Sequence, residues 1–534
     1  MTKVVIIGGG FGGIYTAKRL EKIKLDTFDI ELISNNNYFI FQPLLPEVIS
    51  GVISASDAVT PIRQMLKSIK FRHAEVNSID LEKKNVGIIQ GFKKRQHYIN
   101  YDHLIIALGQ ENKSEIVPGL KNNSFKMKSL QDAYNIRNHI IKCLELADIT
   151  FDYKLKKSLL SFVVIGGGFS GVETTGEIRE MIDKLLIYYK NIKKSEIKIH
   201  VVETSDKLLP ELDPKISIYT QNFFKKMNIN IHLNNKVREV SSLKVYLSNY
   251  NSITTNTVIS TIGAEISNLI KKTQFKLKEG KILTNKFFEV ENQKNVWALG
   301  DCAFVPLDEK NPHESSPPTA QFAVRQARVL SDNILLKVLK KELKPFKYVS
   351  KGALASLGSR IGVGRIYSIT IKGFIAWIIW RIFYLSFLPS TSTKIKVFVG
   401  WILQLIIPRN AVLTESVTSN SFEFKNYKKN DVVFLEGMLA DGFYIVQSGE
   451  FLNTYKKTRD GKIFKKIYKK GEHFGSRVLL ENGQSTGTIR ATRDSKVLKI
   501  DKESFRLMVS NLPMLRKYFN DYLPKNFKNL KLPL

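Results

Sequence analysis

Cysteine is almost absent from this sequence of 534 residues, which contains only Cys143 and Cys302. Two thiols cannot build a disulfide framework or a cysteine-rich zinc or iron–sulfur centre, so we predict no metal site and expect a reducing compartment. Long apolar runs are also missing, because no window reaches the roughly 18 to 20 apolar residues of a spanning helix. No basic and apolar leader precedes the first strand at Val4, so we expect no signal or transit peptide.

Acidic residues are scarce as well. The chain has 82 Lys and Arg against 49 Asp and Glu, a net charge of +33. Such an excess indicates an anionic surface, a nucleic acid or a compositional bias. We do not expect a nucleic acid partner, because no helix-turn-helix and no aromatic-interleaved basic strand is evident.

Acids are missing altogether from residues 343–414, which carry ten Lys and Arg and three of the four tryptophans. Two apolar segments, 374–388 and 397–407, flank a turn predicted at 389–393. Both are too short to cross about 30 Å of hydrocarbon. They suit helices that lie in the interface of an anionic membrane, with the tryptophan rings at headgroup level. Two buried core or dimer-interface helices are the alternative.

The order of patterns along the chain predicts several domains. Strand–glycine–helix units fill the first 345 residues, and short turn-rich segments between 420 and 500 indicate a jelly-roll-like β-domain. The fold class is therefore α/β with two Rossmann-like domains, an apolar helical membrane anchor and an all-β domain. We predict a discontinuous first domain over 1–115 and 265–345, a second over 116–264, an anchor over 346–415, and a β-domain with a helical tail over 416–534.

The first unit carries a dinucleotide-binding fingerprint between a strand and a helix. Its glycines permit a tight turn, close approach of the backbone to a pyrophosphate, and close packing of helix on strand. A plain glycine turn is the alternative. Ser34 stands where an acid usually binds the ribose. The predicted cofactor contacts in the turn are Gly8, Gly9, Gly10, Phe11, Gly12 and Gly13.

The second unit repeats the fingerprint with Gly166, Gly168 and Gly171, and its second strand ends in an acid, Glu203. A carboxylate accepts hydrogen bonds from ribose hydroxyls and repels a 2′-phosphate, so this unit should prefer NADH to NADPH. A solvated glutamate at the end of a strand is the alternative.

Two further strands end at positions that favour the binding of a second dinucleotide, which we interpret as a flavin. Residues 101–109 form a strand that ends in a small-residue turn, and residues 296–301 form a strand that ends in Gly300 and Asp301. An Asp at that position can hydrogen-bond a ribityl hydroxyl. Each segment alone is more often an ordinary strand and turn, and their order relative to the fingerprints carries the interpretation.

Two strings are more specific than either fingerprint: Phe41-Gln42-Pro43-Leu44-Leu45 and Pro317-Pro318-Thr319-Ala320-Gln321. With the fingerprints, they resemble the type II NADH:quinone oxidoreductases, which are two-dinucleotide-binding flavoproteins, over roughly residues 1–412. The resemblance implies that the first domain holds FAD and the second holds NADH. The implied FAD contacts beyond the turn are Ser34, Asn35, Val76, Ala107, Gly109, Asp301, Ala320 and Gln321, and the implied NADH contacts are Gly166, Gly168, Gly171, Glu203 and Gly263.

The resemblance also implies the reaction. Hydride would pass from NADH to the flavin, and two electrons would then reach a membrane quinone without proton pumping. Glu173 and Gln321 are the implied catalytic residues, and Arg325 and Gln326 are weaker candidates for the quinone mouth. The alternative interpretation is that Glu173 is simply a favourable negative charge on the first turn of its helix, near the positive end of the helix dipole. A dithiol mechanism is not expected, because only one of the two cysteines could face the flavin.

Residues 420–510 resemble the cyclic-nucleotide-binding β-roll. In that fold a glutamate binds the ribose and an arginine neutralises the cyclic phosphate, whereas Ser476 and Ser485 stand at those positions here. We therefore expect a β-roll that no longer binds cyclic nucleotides in the usual way and that has an unknown ligand or protein partner.

The sequence as a whole predicts a peripheral enzyme at the cytoplasmic face of the cell membrane, with a homodimer possible. A reductase of another acceptor, and a redox sensor that signals through the β-roll, are the alternatives.

Overall fold

The computed structural model describes residues 1–23, 28–91, 95–112, 116–307, 313–407, 409–413, 422–438, 441–456, 463–476, 479 and 485–526. The domain boundaries predicted at 115 and 415 lie outside these residues. Within the described ranges, no helix is both long enough and apolar enough to cross a membrane.

The chain begins with a strand, a glycine turn and a helix, as the first fingerprint predicts. The strand is buried along its apolar run, as expected for a parallel strand covered on both faces. Up to residue 112 the elements are β1 (Thr2–Ile7), α1 (Phe11–Ile23), β2 (Phe28–Ser34), β3 (Tyr38–Ile40), α2 (Leu45–Ser50), β4 (Val59–Pro61), α3 (Ile62–Met65), β5 (Lys70–His73), β6 (Glu75–Asp80), β7 (Asn85–Gln90), β8 (Arg95–Asn100), β9 (His103–Ile106) and β10 (Glu111–Asn112).

A second unit of the same kind follows. Its elements are α4 (Leu120–Asn123), β11 (Phe125–Lys126), α5 (Leu130–Ile149), α6 (Tyr153–Leu159), β12 (Ser161–Ile165), α7 (Phe169–Leu185), β13 (Lys198–Val202), α8 (Pro214–Lys226), β14 (Ile229–His232), β15 (Val237–Val240), β16 (Lys244–Leu247), β17 (Ser252–Thr254), β18 (Thr257–Ser260) and β19 (Ala264–Glu265). Five of the strands form a sheet in the order β11-β18-β12-β13-β14, in which all neighbours are parallel.

The chain then returns to the first sheet through α9 (Asn268–Lys272), β20 (Leu277–Lys278), β21 (Lys281–Leu283), β22 (Val296–Ala298), β23 (Ala303–Phe304) and α10 (Ala320–Val338). Strand β22 pairs with β9, which gives a parallel sheet in the order β22-β9-β1-β2-β5. The carboxyl ends of β1, β2, β9 and β22 therefore meet at one edge, where α/β sheets bind their ligands.

Residues 352–403 form β24 (Gly352–Ser356), β25 (Gly362–Ile366), β26 (Ile369–Gly373), α11 (Phe374–Phe387) and α12 (Thr391–Leu403). The antiparallel sheet β24-β25-β26 was not predicted. The predicted turn, 389–393, is longer than the observed one, because α12 (Thr391–Leu403) already begins at Thr391. The Thr393 hydroxyl lies 2.9 Å from that of Thr60, which ties the first turn of α12 to the first domain.

The C-terminal region is a two-sheet β-roll followed by helices. Its elements are β27 (Phe422–Tyr427), β28 (Val432–Phe434), β29 (Gly442–Ser448), β30 (Glu450–Lys456), β31 (Ile463–Lys469), β32 (His473–Phe474), β33 (Gly487–Ala491), β34 (Ser495–Asp501), α13 (Lys502–Asn511) and α14 (Pro513–Asn526). The sheets run β27-β34-β29-β32 and β28-β33-β30-β31. Their apolar core is separate from the core that the two dinucleotide-binding units share with α11 and α12.

The β-roll packs against the second unit through polar contacts. The Ser242 amide donates a hydrogen bond of 3.0 Å to the Asn426 carbonyl, and the Lys428 ammonium lies 2.7 Å from the Glu239 carboxylate. Contacts of this kind position the β-roll without merging the two cores.

Replacing Phe451, a fully buried side chain of the β-roll core, with alanine should lower the free energy of unfolding of the β-roll by about 3–5 kcal/mol. Because the cores are separate, the unfolding of residues 1–412 should not change. Scanning calorimetry of the full chain measures both transitions. An equal shift in both would contradict the division.

Candidate active site

The turn between β1 and α1 leaves no room for side chains at its ends. Gly8 has φ of +113°, and a Cβ there would lie 2.3 Å from the Ala107 carbonyl oxygen. At Gly13 a Cβ would lie 1.9 Å from the Gly8 carbonyl oxygen, whereas at Gly10 it would meet nothing within 4 Å. The turn is thus closed towards the sheet and open at Gly10, as a backbone cradle for a pyrophosphate requires.

The other residues predicted around the first fingerprint lie at the same sheet edge. Ser34 ends β2 and is buried, and Asn35 follows it. The Ala74 amide bonds to the Ser34 carbonyl at 3.0 Å, which brings the start of β6 and Val76 to this edge. Ala107 and Gly109 follow β9.

Asp301 follows β22 at this edge and is largely enclosed. Burial raises its pKa, and the positive charges of Lys128 and Lys281 oppose that rise. The carboxyl is therefore held where a hydroxyl-rich ligand could reach it.

Helix α10 begins beside Asp301 with Ala320. The Gln321 carboxamide points towards residues 348–352, where its oxygen accepts a hydrogen bond of 2.5 Å from the Tyr348 hydroxyl. Gln326 is buried and accepts a hydrogen bond of 2.8 Å from the Gly300 amide, so it fixes the turn before Asp301. The Arg325 guanidinium lies over the rings of Tyr348 and Phe387, at 5.3 and 5.6 Å.

The second fingerprint has the same geometry at the edge of the second sheet. Gly166 follows β12, Gly168 is the N-cap of α7, Gly171 lies in its first turn, and Gly263 follows β18. Glu203, at the end of β13, accepts hydrogen bonds from the amides of Gly167 at 2.5 Å and Ser205 at 2.8 Å. Burial alone would raise its pKa, but these hydrogen bonds outweigh burial and lower it. The carboxylate stays charged beside the glycine turn.

Glu173 lies on the second turn of α7, the helix that begins at the second fingerprint. The prediction of the first turn is wrong, because the helix begins at Phe169 and has no acid in its first turn. The carboxyl is buried and accepts hydrogen bonds from the Trp380 indole at 2.9 Å and from the Ser356 amide at 3.1 Å. Burial raises its pKa to about 8, although both hydrogen bonds oppose this. At neutral pH the group therefore carries a proton.

The Ser356 contact depends on close packing of α7 against the β24–β25 turn. A Cβ at Gly176 would lie 2.2 Å from the Leu357 carbonyl oxygen, so only glycine permits this approach.

An aromatic wall connects the first fingerprint to Glu173. The Phe11 ring lies 5.5 Å from that of Phe41, Phe41 lies 5.8 Å from Tyr384, and Tyr384 lies 4.7 Å from Trp380. Phe41 belongs to a string that the sequence analysis singled out. Trp380 and Tyr384 were missed as site residues, because they lie in a segment interpreted as facing lipid.

Two of the three tryptophans predicted at headgroup level are in fact buried. Trp380 bonds to Glu173, and the Trp401 indole donates a hydrogen bond of 2.6 Å to Glu47. Glu47 also pairs with Arg381 at 3.3 Å. These polar partners hold both rings against the protein.

Two of the ten basic charges of the acid-free stretch are likewise internal. Arg381 pairs with Glu47, and Arg409 pairs with Glu180 at 2.9 Å. They are therefore not directed at an anionic surface.

Neither cysteine has a reactive environment. Both are buried, and burial raises the pKa of each thiol to about 11. Cys143 lies near His139 and Thr257, and Cys302 donates to the Leu299 carbonyl.

Three family models match the chain. The model of pyridine nucleotide-disulphide oxidoreductases matches residues 2–327, the NDH2 C-terminal domain matches 350–410, and the cyclic nucleotide-binding domain matches 424–511. Since the first model covers more than half of the chain, the protein belongs to the pyridine nucleotide-disulphide oxidoreductase family.

Individual relatives indicate which group within this family the chain is similar to. The chain is 32% identical to a probable NADH dehydrogenase of Dictyostelium discoideum, over 76% of this chain and 90% of the relative. It is 28% identical to the type II NADH:quinone oxidoreductase NdhA of Mycobacterium tuberculosis, over 75% of this chain and 86% of that one. Its fold is similar to that of NDH2 from Plasmodium falciparum in complex with RYL-552, with a TM-score of 0.72 at 24% identity, over 77% of this chain and 99% of that one.

Within its family the chain is similar to the type II NADH:quinone oxidoreductases and is extended by a cyclic nucleotide-binding-type domain, which confirms the resemblance predicted from the sequence. It is an oxidoreductase, and the cofactor and substrate predicted for it are FAD and NADH. The residues fit both groups: the turn is open at Gly10, and the charged Glu203 suits a ribose without a 2′-phosphate.

Replacing Gly176 with alanine should force α7 and the β24–β25 turn apart, at a cost of about 1–3 kcal/mol. Gly400→Ala is the matched control, because a Cβ there has its nearest neighbour at 3.9 Å. Thermal unfolding should show a loss only for Gly176→Ala. Equal melting temperatures for the two variants would contradict the packing argument.

Proposed function

We propose that this protein oxidises NADH with a membrane quinone through bound FAD, without moving protons across the bilayer. The observation that carries the proposal is the buried Glu173 carboxyl, which lies on the helix that follows the second fingerprint and bonds to Trp380, the last ring of the aromatic wall that begins at the first fingerprint. When bound, FAD accepts hydride from NADH and passes on two electrons.

The first edge would hold FAD. Backbone amides at the start of α1 favour the pyrophosphate, and Asp301 is placed for a ribityl hydroxyl. We assign the remaining contacts to Gly8, Gly9, Gly10, Phe11, Gly12, Gly13, Ser34, Asn35, Val76, Ala107, Gly109, Ala320 and Gln321.

The second edge would hold NADH through Gly166, Gly168, Gly171, Glu203 and Gly263. Glu173 and Gln321 are the proposed catalytic residues beside the flavin and quinone. Because the raised pKa of Glu173 keeps its carboxyl protonated at neutral pH, the residue can supply a proton during quinone reduction.

The outer faces of α11 and α12 support attachment to a membrane. Both helices bury one face against the enzyme and expose large apolar side chains on the other, among them Ile375, Ile382, Phe398 and Ile402. Lys372, Lys394 and Lys396 lie on the same segment. An exposed apolar surface of this size with basic residues beside it suits an anionic lipid interface. We place it at the cytoplasmic face of the cell membrane.

The β-roll would serve as a structural or partner-binding module. Ser485 is engaged with residues 437–438, where its amide bonds to the Met438 carbonyl at 2.7 Å. With serine at 476 and 485, the described residues lack the charged pair that a cyclic phosphate and ribose need. Its partner would be another protein or a second copy of this chain.

Replacing Glu203 with glutamine should lower kcat/KM for NADH by about tenfold, because a charged hydrogen-bond acceptor is lost. The ratio of NADPH to NADH activity should rise. Steady-state kinetics with both nucleotides measure this, and Glu196→Gln in the same unit is the control. An unchanged preference for NADH would contradict the assignment of the ribose site.

Replacing Ile375 and Ile382 with aspartate should lower binding to anionic vesicles on the order of a hundredfold, since about 3 kcal/mol of apolar burial is lost. Ile187→Asp/Ile218→Asp is the matched control, because both side chains are exposed on the second unit. Deleting 372–409 is unsuitable, since it removes the buried Trp380 and Trp401. Retained sedimentation of the Ile375/Ile382 variant with vesicles would overturn the anchor.

A further inference from the structure

Helix α7 carries two more acids behind Glu173. Glu177 and Glu180 follow at spacings of four and three residues, so the three side chains lie along one face of the helix. Glu173 and Glu177 are both buried. Their Cβ atoms are separated by one helical turn, about 5–6 Å.

Glu177 has one close polar partner, the buried hydroxyl of Ser50, at 2.5 Å. The same hydroxyl lies 3.2 Å from the main-chain carbonyl of Glu47. A single hydroxyl proton can serve only one of these acceptors. When Glu177 is protonated it can donate to Ser50 while Ser50 donates to the carbonyl, and when it is ionised Ser50 turns to donate to it. Glu177 therefore has a hydrogen-bond partner in both its protonated and its ionised form.

A cavity of about 20 Å³ adjoins Glu177 between α7 and the helices α11 and α12. This volume is sufficient for one water molecule. Its lining includes Glu177, Glu180 and Arg381 on the inside and the exposed Lys184 and Arg360 towards the surface. The cavity therefore connects a buried carboxyl with the protein surface beside the apolar helices.

A buried arginine points towards the same acids. The Arg409 side chain is 4% exposed and pairs with Glu180. Among the described residues, none of its three guanidinium nitrogens has a hydrogen-bond partner of good geometry, although Nη2 lies 2.9 Å from the Glu180 carboxylate. Unsatisfied buried donors of this kind are usually bonded to internal water, which independently indicates water next to the acid row.

Several neighbouring charges change the pKa of Glu177. Burial, followed by the charge of Glu180, raises its pKa to about 8, and Glu47 adds to the rise while Arg409 opposes it. Burial alone would raise the pKa of Glu180, but Arg409, the Ser359 amide and Lys184 together outweigh burial and lower the pKa. The charged or titratable groups that face this region are Glu47 on α2, Glu173, Glu180 and Lys184 on α7, Arg360 after β24, Arg381 on α11, and Arg409 after α12.

We propose that Glu177 holds a proton behind Glu173, takes it up through the cavity beside α11 and α12, and passes it to Glu173 during quinone reduction. The role rests on the proposed function. Oxidation of one NADH by one quinone yields NAD+ and quinol: the hydride supplies two electrons and one hydrogen, and one proton comes from the solvent. Glu177 is placed to deliver that proton. It would not touch the substrates, so it is a positioning and proton-holding residue.

The test is Glu177→Gln, which keeps the shape and removes the exchangeable carboxyl proton. Reduction of bound flavin by NADH without quinone should proceed at the wild-type rate, whereas quinone-dependent turnover should fall by about tenfold or more. Wild-type turnover should decline as the pH rises above about 8, where Glu173 and Glu177 lose their protons, and the variant, in which only Glu173 titrates, should show a shallower decline. Wild-type turnover and pH profile in the variant would overturn the relay.

Two controls separate this role from a structural one. Glu145→Gln likewise replaces a carboxyl that accepts a hydroxyl hydrogen bond, that of Tyr189 at 2.9 Å, but it lies away from the cavity and should retain full turnover. Ser50→Ala should lower turnover while leaving flavin reduction intact. Equal losses in Glu145→Gln and Glu177→Gln would overturn the relay.

A readout independent of turnover is the infrared band of protonated carboxyl groups. The wild-type spectrum should contain a component that titrates near pH 8, to which both Glu173 and Glu177 contribute, and its amplitude should be smaller in Glu177→Gln; identical amplitudes in the two proteins would overturn the proton store. A wild-type protein with no quinone turnover, but with this band, would refute the proposed function alone. Turnover in both proteins without a difference would refute the relay alone.

Discussion

The hydrogen bond between the Trp380 indole and the buried carboxyl of Glu173 is the contact on which the rest of the site depends. It joins a helix of the second dinucleotide-binding unit to a helix that belongs to neither unit. A buried carboxyl without such donors would be costly. The interaction therefore fixes α11 against α7 and places the catalytic candidate at the end of the aromatic wall.

In the proposed account the same helices serve the enzyme on one face and the membrane surface on the other. Their inner faces supply Trp380, Tyr384 and Trp401 to the site wall and to Glu47, and their outer faces remain apolar and exposed. A lipid-soluble acceptor that enters along such helices would arrive beside Gln321 and Glu173 without crossing water. Deleting these helices would therefore disturb the site together with the proposed anchor. Substituting single exposed side chains changes the outer face alone.

The parts of the molecule that the sequence predicted are those whose chemistry is local. The glycine turns, the strands that flank them and the charged Glu203 follow from backbone geometry within about 40 residues. Contacts such as Trp380 with Glu173 and Trp401 with Glu47 join residues 207 and 354 positions apart, and apolar periodicity does not tell which face of a helix meets protein and which meets lipid. The sheet of residues 352–373 was missed for a similar reason, since its short strands carry few alternating apolar residues. The acids behind Glu173 had no recognisable motif, and only their burial and the cavity distinguish them.

The central claim is that bound FAD links NADH to a membrane quinone at this site. The most direct measurement is NADH oxidation by the purified full-length protein, with its flavin identified, in vesicles with and without quinone and with pH recorded on both sides. The account predicts bound FAD, one quinol formed per NADH, rates that depend on quinone and vesicles, and no proton translocation. Oxidation of NADH at the same rate without quinone or lipid, by a soluble acceptor alone, would contradict it.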